Sequence, residues 1–332
     1  MNFLVIGGGS IGRRHIDNIN KLGGHRIFCL KRKYDPAFED KHGAKVITHI
    51  NQLTDAIDAV FVCTPTSMHV QALETARQLN CAVFMEKPLT HSGSGLEEAE
   101  RHLAQLRKPF FIGFMLRYHP LVKKMKEILD AGILGPVYSA HFEFGSYLPY
   151  WHPWEDHRIS YASKKELGGG VINTICHELD LIQYFFGSPD SVVCVARNFG
   201  KLDIEVEEIA EAVFGYPQRL VTLHLDYLQK DYKRAIRVLG ENGCATWNWH
   251  EQKINIAIHK SQTVEEHLGA DFEVNQLYIE ELKDFISVVE QSDRGHSLNA
   301  KHAIENTRLL LAMHQAVTAQ CAVHLATRTN ND

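Results

Sequence analysis

The feature that most constrains this fold is a glycine pattern placed directly after the first apolar segment. Phe3 to Ile6 form a short apolar run, and Gly7, Gly9 and Gly12 follow it with the spacing G-x-G-x-x-G. A buried strand, a tight turn and a helix start in this order predict a dinucleotide-binding unit. The first glycine allows the turn, the second lets the backbone approach the pyrophosphate, and the third permits close helix–strand packing. A turn that serves packing alone is the alternative.

The helix that starts at this turn is expected to provide phosphate contacts. Its first residues expose backbone N–H groups at the positive end of the helix dipole, where negatively charged groups bind favourably. We therefore predict that Ser10 and Ile11 bind the cofactor together with the three glycines.

The residues after the second predicted strand bear on the choice between NAD and NADP. An acidic residue there would accept hydrogen bonds from both ribose hydroxyls of NAD, but the chain has Lys31, Arg32 and Lys33. Cations suit the 2′-phosphate of NADP. We therefore predict that NADP(H) is preferred over NAD(H), with Lys31 and Arg32 as ligands. A basic turn in solvent is the alternative.

Composition limits the class of protein. At 332 residues the chain exceeds one ordinary core, so two domains are expected. The formal charge of −5 gives no basic field for nucleic acid or an anionic membrane, and no apolar stretch reaches the length of a membrane span. Seven scattered cysteines without a C-x-x-C pair, and an N-terminus that reads as a core strand and not a signal peptide, favour the cytoplasm.

Apolar runs alternate with helical patterns through the first third of the chain, which predicts a doubly wound parallel sheet. The predicted strands are 3–6, 26–30, 59–63, 82–85 and 110–114, and the predicted helices are 12–22, 68–79 and 95–107. After a helix at 120–131, β-prone runs with tight turns indicate a largely antiparallel sheet. These runs are 137–147, 191–198, 206–215, 219–228, 234–240 and 244–249, and helices at 273–291 and 299–320 follow them. The predicted domains are 1–120 and 121–332.

The loop after the third strand carries polar side chains toward the expected cofactor site. Thr64, Pro65 and Thr66 follow that strand, and His69 lies at the start of the next helix. Open α/β sheets bind ligands at the carboxyl ends of their strands, so we predict that these four residues bind the cofactor. Helix capping by the threonines and local packing of His69 are the alternatives.

The loop after the fourth of these strands contains Glu86, Lys87 and Pro88. An ammonium group at the mouth of the crevice can polarise a substrate oxygen or stabilise an alkoxide. We predict that Glu86 and Lys87 contact the cofactor and that Lys87 is also catalytic. An exposed turn with a weak ion pair is the alternative.

Three consecutive glycines, 168–170, precede a predicted helix that carries Asn173 and His177. Their spacing of four residues places both on one face of a continuous helix, with Asp180 pointing the same way. Histidine is the usual general base near neutral pH. A histidine with a purely structural role is the alternative.

The chain resembles the glucose–fructose oxidoreductase/inositol dehydrogenase (Gfo/Idh/MocA) family over essentially its whole length. Three features carry the resemblance: the glycine pattern at 7–12, the tripeptide Glu86-Lys87-Pro88, and the glycines 168–170 followed by a helix with His177. The tripeptide Glu86-Lys87-Pro88 after a Rossmann strand is the most specific marker. The resemblance implies an N-terminal Rossmann domain and a C-terminal α/β domain with an open, mainly antiparallel sheet. It also implies hydride transfer between nicotinamide and a hydroxyl-bearing carbon of a sugar or cyclitol, with Lys87 and His177 beside that carbon. An aspartate is common four residues before this histidine. Here Asn173 can orient a group but cannot take a proton.

Residues 147–161 form an aromatic loop, and flat aromatic faces with polar tips suit sugar rings. An interdomain or oligomer contact is the alternative. The predicted substrate-binding residues are Arg117, Trp154, Arg158, Tyr161, Asn173 and His177. Of these, Arg158 suits a phosphate or carboxylate. No metal is predicted, because His152, Glu155 and His157 lack the spacing of a helical zinc pair.

The predicted function is that of a sugar-type oxidoreductase that acts on a small molecule such as a sugar nucleotide. His177 removes or returns the hydroxyl proton, with Tyr161 or His157 as the next candidates, and Lys87 stabilises the oxygen. We also expect a homo-oligomer, a dimer or tetramer, formed through the C-terminal sheet. The alternatives are NAD-dependent glycoside cleavage, in which transient oxidation drives elimination, and a non-catalytic NAD(P)-binding regulator.

Overall fold

The computed structural model describes residues 1–259, 264–268 and 272–325. The chain forms two compact units. The first comprises Met1–Met115 and Glu273–Thr307, and the second comprises Leu116–Phe272 and the residues from Arg308 onward. The predicted division at residue 120 follows chain order, and it differs from these units because the segment Glu273–Thr307 packs with the first.

The first unit contains a six-stranded sheet of order β3-β2-β1-β4-β5-β6, in which all neighbours are parallel. The predicted doubly wound parallel sheet is therefore confirmed, and β3 is an additional strand. The strands are β1 (Asn2–Ile6), β2 (Arg26–Leu30), β3 (Lys45–Ile47), β4 (Ala59–Val62), β5 (Ala82–Glu86) and β6 (Phe110–Gly113).

Five helices belong to this unit by residue range, and a further helix, α9 (Ala300–Ala319), begins in it. The predictions lacked α2. The N-cap of this helix is Asp35, whose side chain accepts a hydrogen bond from the backbone N–H of Phe38. The helices are α1 (Ser10–Leu22), α2 (Pro36–His42), α3 (His69–Gln78), α4 (Gly93–Gln105) and α8 (Val274–Gln291).

A row of phenylalanines explains why a C-terminal helix packs with the N-terminal sheet. Phe61, Phe84 and Phe111 lie opposite one another on β4, β5 and β6, and all three are fully buried. Their rings stack at centroid distances of 5.1 and 5.5 Å, and Phe285 of α8 meets all three at 5.3–5.6 Å. Burial of four aromatic side chains fixes α8 on the sheet through apolar contact.

The second unit contains a nine-stranded sheet of order β14-β13-β12-β11-β7-β10-β9-β8-β15. Only the pairing of β7 with β10 is parallel among its described strands, so the expected mainly antiparallel sheet is confirmed. The strands are β7 (Val137–Gly145), β8 (Ser191–Arg197), β9 (Ile209–Tyr216), β10 (Arg219–Asp226), β11 (Lys233–Gly240), β12 (Gly243–Asn248), β13 (Lys253–Ile258), β14 (Val264–His267) and β15 (Val323–His324).

Helices pack on one face of this sheet. Along each strand, side chains point alternately toward the helices and toward the other, open face. In β8, for example, Val193 and Val195 are exposed while their neighbours are buried. The helices are α5 (Pro120–Asp130), α6 (Val171–Thr174), α7 (His177–Phe186) and the second half of α9 (Ala300–Ala319). None of the helices in the described ranges combines the length and apolar character that a membrane crossing requires.

Candidate cofactor and substrate sites

The glycine turn after β1 has the geometry that the sequence pattern requires. Gly7 has a φ of +106°, and a Cβ there would lie 2.6 Å from the carbonyl oxygen of Cys63. A Cβ on Gly12 would lie 2.0 Å from the carbonyl oxygen of Gly7. A Cβ on Gly9 would meet no atom of the described residues within 4 Å. Gly9 is the N-cap of α1, so open space lies over the free N–H groups of Ser10 and Ile11.

A buried polar atom near this turn also fits a bound dinucleotide. Cys63 directly follows β4 and lies against Gly7, and Thr64 comes next. Within the described residues, the buried hydroxyl of Thr64 has no hydrogen-bond partner. A buried hydroxyl is costly without a partner, and a ligand at the carboxyl ends of the strands would supply one.

The basic residues after β2 have unequal surroundings. Nζ of Lys31 lies 2.7 Å from Oδ2 of Asp35 and 3.8 Å from the centre of the Phe38 ring. The stem of Lys31 lies against the glycine turn, since a Cβ at Gly8 would come within 3.2 Å of it. The hydrogen bond from Lys31 lowers the pKa of the Asp35 carboxyl. Arg32 is exposed to solvent, so its charge is the more available for an anion.

His69 joins two loops at the carboxyl ends of the strands. Its Nδ1 lies 2.8 Å from the carbonyl oxygen of Pro88, and its Nε2 lies 3.0 Å from that of Thr64. The ring is buried, and this burial lowers the pKa of His69. Both ring nitrogens thus face backbone carbonyl oxygens, and the neutral ring donates to one of them. This arrangement favours a role in holding the loops over direct cofactor contact. Thr66 is also buried, beside Pro65 in a 3₁₀ turn.

Glu86 is held by His15, a residue that no sequence motif marked. Oε1 of Glu86 lies 2.7 Å from Nε2 of His15, and the His15 side chain is fully buried. The carboxylate therefore ties the end of β5 to α1. Lys87 follows it, half-buried, at the carboxyl edge of the sheet.

In the second unit, the prediction of one continuous helix after the three glycines is wrong. α6 ends at Thr174, and α7 begins at His177. Ile175 has φ −106° and ψ 43°, which lie outside the helical region. The hydroxyl of Thr174 is bound to the carbonyl of Gly170 and to the hydroxyl of Tyr227, which holds α6 to β10 and its following loop. Asn173 and His177 therefore do not share one helix face.

Asn173 is bound to a histidine that no sequence motif marked. Its Nδ2 donates to the carbonyl oxygen of Gly169 at 2.9 Å, and its Oδ1 lies 2.8 Å from Nε2 of His314. Only 5% of Asn173 is exposed. His314 lies within the helix predicted at 299–320, but its position along the chain gave no reason to connect it with residue 173.

Two buried ion pairs hold α7 in place. Asp180 accepts two hydrogen bonds from Arg117, at 2.7 and 2.9 Å, and Glu178 accepts one from Arg234 at 2.7 Å. All four side chains are at least nine-tenths buried. Asp180 thus pairs with Arg117 and does not join Asn173 as expected. Because removing one partner of such a pair is costly, these contacts fix α7 and hence its first residue, His177.

The aromatic loop presents exposed rings and a paired arginine. Trp154 is 74% and Tyr161 37% exposed. Arg158 binds both carboxylate oxygens of Asp156, and these hydrogen bonds lower the Asp156 pKa to about 2. Nε2 of His157 lies 2.9 Å from the carbonyl oxygen of Leu202. In the described part of the chain, no group of three or more His, Cys, Asp or Glu side chains could hold a metal ion.

Both parts of the chain match models of one protein family. Residues 1–114 match the model described as an oxidoreductase family with an NAD-binding Rossmann fold, and residues 122–246 match the GFO/IDH/MocA C-terminal domain.

Individual relatives agree with these matches. The chain is 28% identical to the uncharacterized oxidoreductase YrbE of Bacillus subtilis (strain 168), over 65% of this chain and 69% of that protein. It is 27% identical to an inositol 2-dehydrogenase/D-chiro-inositol 3-dehydrogenase of Lacticaseibacillus casei, over 72% and 70%. A structure of levoglucosan dehydrogenase in complex with NADH and levoglucosan superposes with a TM-score of 0.86, at 15% identity, over 98% of this chain and 99% of that one. At that identity the likeness establishes the fold alone.

Proposed function

The chain belongs to the GFO/IDH/MocA family of oxidoreductases, and we propose that it oxidises or reduces a hydroxyl-bearing carbon of a sugar, sugar nucleotide or cyclitol with a nicotinamide dinucleotide. The observation that carries the proposal is the glycine turn, whose open space at Gly9 lies over the start of α1. When bound, the cofactor supplies the hydride acceptor or donor. The inositol dehydrogenase among the similar proteins supports the substrate class.

NADP(H) is the proposed preferred cofactor. Gly7, Gly9 and Gly12 form the turn, with Ser10 and Ile11 directing N–H groups to the pyrophosphate. Arg32 supports the preference because its guanidinium is exposed at the end of β2. Lys31 contributes less, because its ammonium already binds Asp35. The loop residues Thr64, Pro65, Thr66, His69 and Glu86 are proposed to shape the same pocket.

The proposed chemistry assigns one step to each of two residues. Lys87 donates a hydrogen bond to the substrate oxygen and stabilises its negative charge. His177 takes the hydroxyl proton during oxidation and returns it during reduction. Asn173 is proposed to orient groups nearby, since an amide does not act as an acid or a base near neutral pH.

The substrate contacts are proposed to come chiefly from the aromatic loop. The exposed rings of Trp154 and Tyr161 offer flat surfaces for a sugar ring. Arg158 can exchange its Asp156 partner for a substrate phosphate or carboxylate, because that ion pair lies in solvent. Arg117 is buried against Asp180, which favours a positioning role through α7 over direct contact.

We also propose a homo-oligomer formed through the open face of the nine-stranded sheet. Val193 and Val213 lie opposite each other on β8 and β9, and Val195 and Leu220 extend the same face. These four side chains are 42–56% exposed. Apolar side chains grouped in this way are typical of protein interfaces, and light scattering would measure the assembly.

The experiment that tests the function is a screen of sugars, sugar nucleotides and cyclitols, followed by the absorbance of reduced nicotinamide. On the active substrate, Lys87→Ala and His177→Ala should each lower kcat roughly 100-fold or more while dinucleotide binding stays largely intact. Lys108→Ala, at an exposed lysine before β6, is the matched control and should retain activity. Near-normal turnover by Lys87→Ala would contradict the assigned chemistry.

Two other outcomes would replace the proposal. Substrate consumption without net change in the cofactor would identify glycoside cleavage by transient oxidation. Dinucleotide binding without turnover of any sugar-type substrate would identify a non-catalytic regulator.

A further inference from the structure

The Asn173 side chain is fixed at both ends of its amide. Nδ2 donates to the carbonyl oxygen of Gly169, and Oδ1 faces Nε2 of His314. The backbone at Gly169 is closely packed, since a Cβ there would lie 2.5 Å from the carbonyl oxygen of Tyr161. Turning the amide over would bring Oδ1 against the Gly169 carbonyl, where two acceptors would repel. The amide orientation is therefore set by the backbone.

This orientation determines which nitrogen of His314 carries hydrogen. Oδ1 of Asn173 only accepts hydrogen bonds, so at 2.8 Å the facing Nε2 of His314 must donate. Neutral His314 is thus held as the Nε2–H tautomer. The Gly169 carbonyl thus fixes the Asn173 amide, and the amide in turn fixes the tautomer of the His314 ring.

The same contacts explain why asparagine suits position 173 in this chain. A carboxylate could accept from His314 but could not donate to Gly169. One of its oxygens would face the Gly169 carbonyl in a site where residue 173 is 5% exposed. An unpaired buried acceptor of this kind is unfavourable.

We propose that His314 is a positioning residue of the active site, acting through its Nε2–H bond to Asn173. It anchors α6 to α9, and so holds the short segment between Asn173 and His177 that sets where α7 begins. This inference rests on the proposed function only in assigning Asn173 and His177 to the active site. Neither the contact nor the tautomer depends on that assignment.

The first test is the tautomer itself, measured without substrate. Long-range ¹H–¹⁵N correlation spectra of the full-length protein, with His314 assigned by comparison with His314→Gln, should show the Nε2–H form at high pH. In Asn173→Ala, which removes the acceptor, the population of that form should fall. An Nδ1–H tautomer in the unmodified protein, or a tautomer that does not respond to Asn173→Ala, would overturn the proposal.

The second test uses paired variants on the active enzyme. His314→Leu removes the donor, whereas His314→Gln can place an amide N–H near the same point. We expect His314→Leu to lower kcat roughly tenfold or more with the dinucleotide Kd unchanged, and His314→Gln to recover most of the loss. Equal impairment in both variants, or full activity of His314→Leu, would overturn the positioning role.

The two tests separate this inference from the proposed function. If His314→Leu does not fold, the spectra and the His314→Gln kinetics still decide the question. If the Nε2–H tautomer is found and responds to Asn173→Ala but no sugar-type substrate is turned over, the proposed function fails while the assigned contact stands.

Discussion

Nε2 of His15 lies 2.7 Å from Oε1 of Glu86, and this contact joins the first helix of the parallel sheet to the loop that carries Lys87. His15 is fully buried beside Phe84, with ring centroids 4.9 Å apart, and 14% of the Glu86 side chain is exposed. A residue of the helix that follows the glycine turn and the residue before the proposed catalytic lysine are thus connected by one hydrogen bond.

Removing His15 should leave the Glu86 carboxylate buried without its partner. We expect His15→Leu to lower the free energy of unfolding by ~1–3 kcal/mol, measured by urea denaturation. Glu86→Gln should cost less, because its amide can still bond the imidazole. A double-mutant cycle gives the coupling between the two side chains. Unchanged stability of His15→Leu would show that the contact does not contribute.

The glycines of the turn should separate stability from cofactor binding. Gly12→Ala places a Cβ 2.0 Å from a backbone oxygen. It should therefore lower the free energy of unfolding by at least about 1 kcal/mol. The Cβ of Gly9→Ala would have no neighbour within 4 Å in the part of the chain that the structure describes, so this variant should fold normally. It should weaken dinucleotide binding by tenfold or more. Thermal unfolding and fluorescence titration measure the two effects. Tight dinucleotide binding by Gly9→Ala would place the pyrophosphate elsewhere.

Much of the first sheet could be predicted because its signals are local. Phe61, Phe84 and Phe111 lie in short apolar runs that favour buried strands, and Gly7 directly follows another such run, 3–6. The missed strand β3, Lys45–Ile47, is three residues long and too short to show a period. The helix α2 did carry a local signal, an Asp35 N-cap followed by Pro36, which the prediction overlooked.

The surroundings of Asn173 and His177 in the second unit could be predicted only in part, because the contacts there join segments that are distant along the chain. His314 is 141 residues from Asn173, and Arg117 is 63 residues from Asp180. No periodicity or spacing encodes such pairs. The break between α6 and α7 lies beside another such contact, the bond of Thr174 with Tyr227. Its local signal is weak, since the β-branched Thr174 and Ile175 only slightly disfavour a helix.

The cations after β2 should contribute unequally to cofactor choice. Arg32→Ala should weaken NADP(H) binding by roughly tenfold or more and leave NAD(H) binding nearly unchanged. Lys31→Ala should have the smaller effect, because Asp35 already engages its ammonium. Arg32→Asp should reverse the preference. Dissociation constants for both dinucleotides measure this, and tighter binding of NAD(H) by the unmodified protein would contradict the proposed preference.

The pH dependence of stability should report on His224, on the open face of the second sheet. Its Nε2 lies 3.0 Å from Oδ2 of Asp226, and its Nδ1 lies 2.5 Å from Oε1 of Glu211 on β9. Glu143 of β7 is its cross-strand neighbour on the other side. The hydrogen bond with Asp226, followed by the interactions with Glu211, raises the pKa of His224 to about 9 despite partial burial.

Since the folded-state pKa lies above the ordinary value of 6.5, protonated His224 stabilises the folded state. This contribution is fully present below pH 6.5 and is lost as pH rises through about 9. His224→Gln should therefore lower the free energy of unfolding at pH 6 by about 1–3 kcal/mol, and the difference from the unmodified protein should shrink steadily toward pH 10. Urea denaturation at fixed protein concentration measures it, with His141→Gln, on the same face, as the control for loss of an imidazole. A difference that stays constant from pH 6 to pH 10 would show that these carboxylates do not raise the pKa of His224.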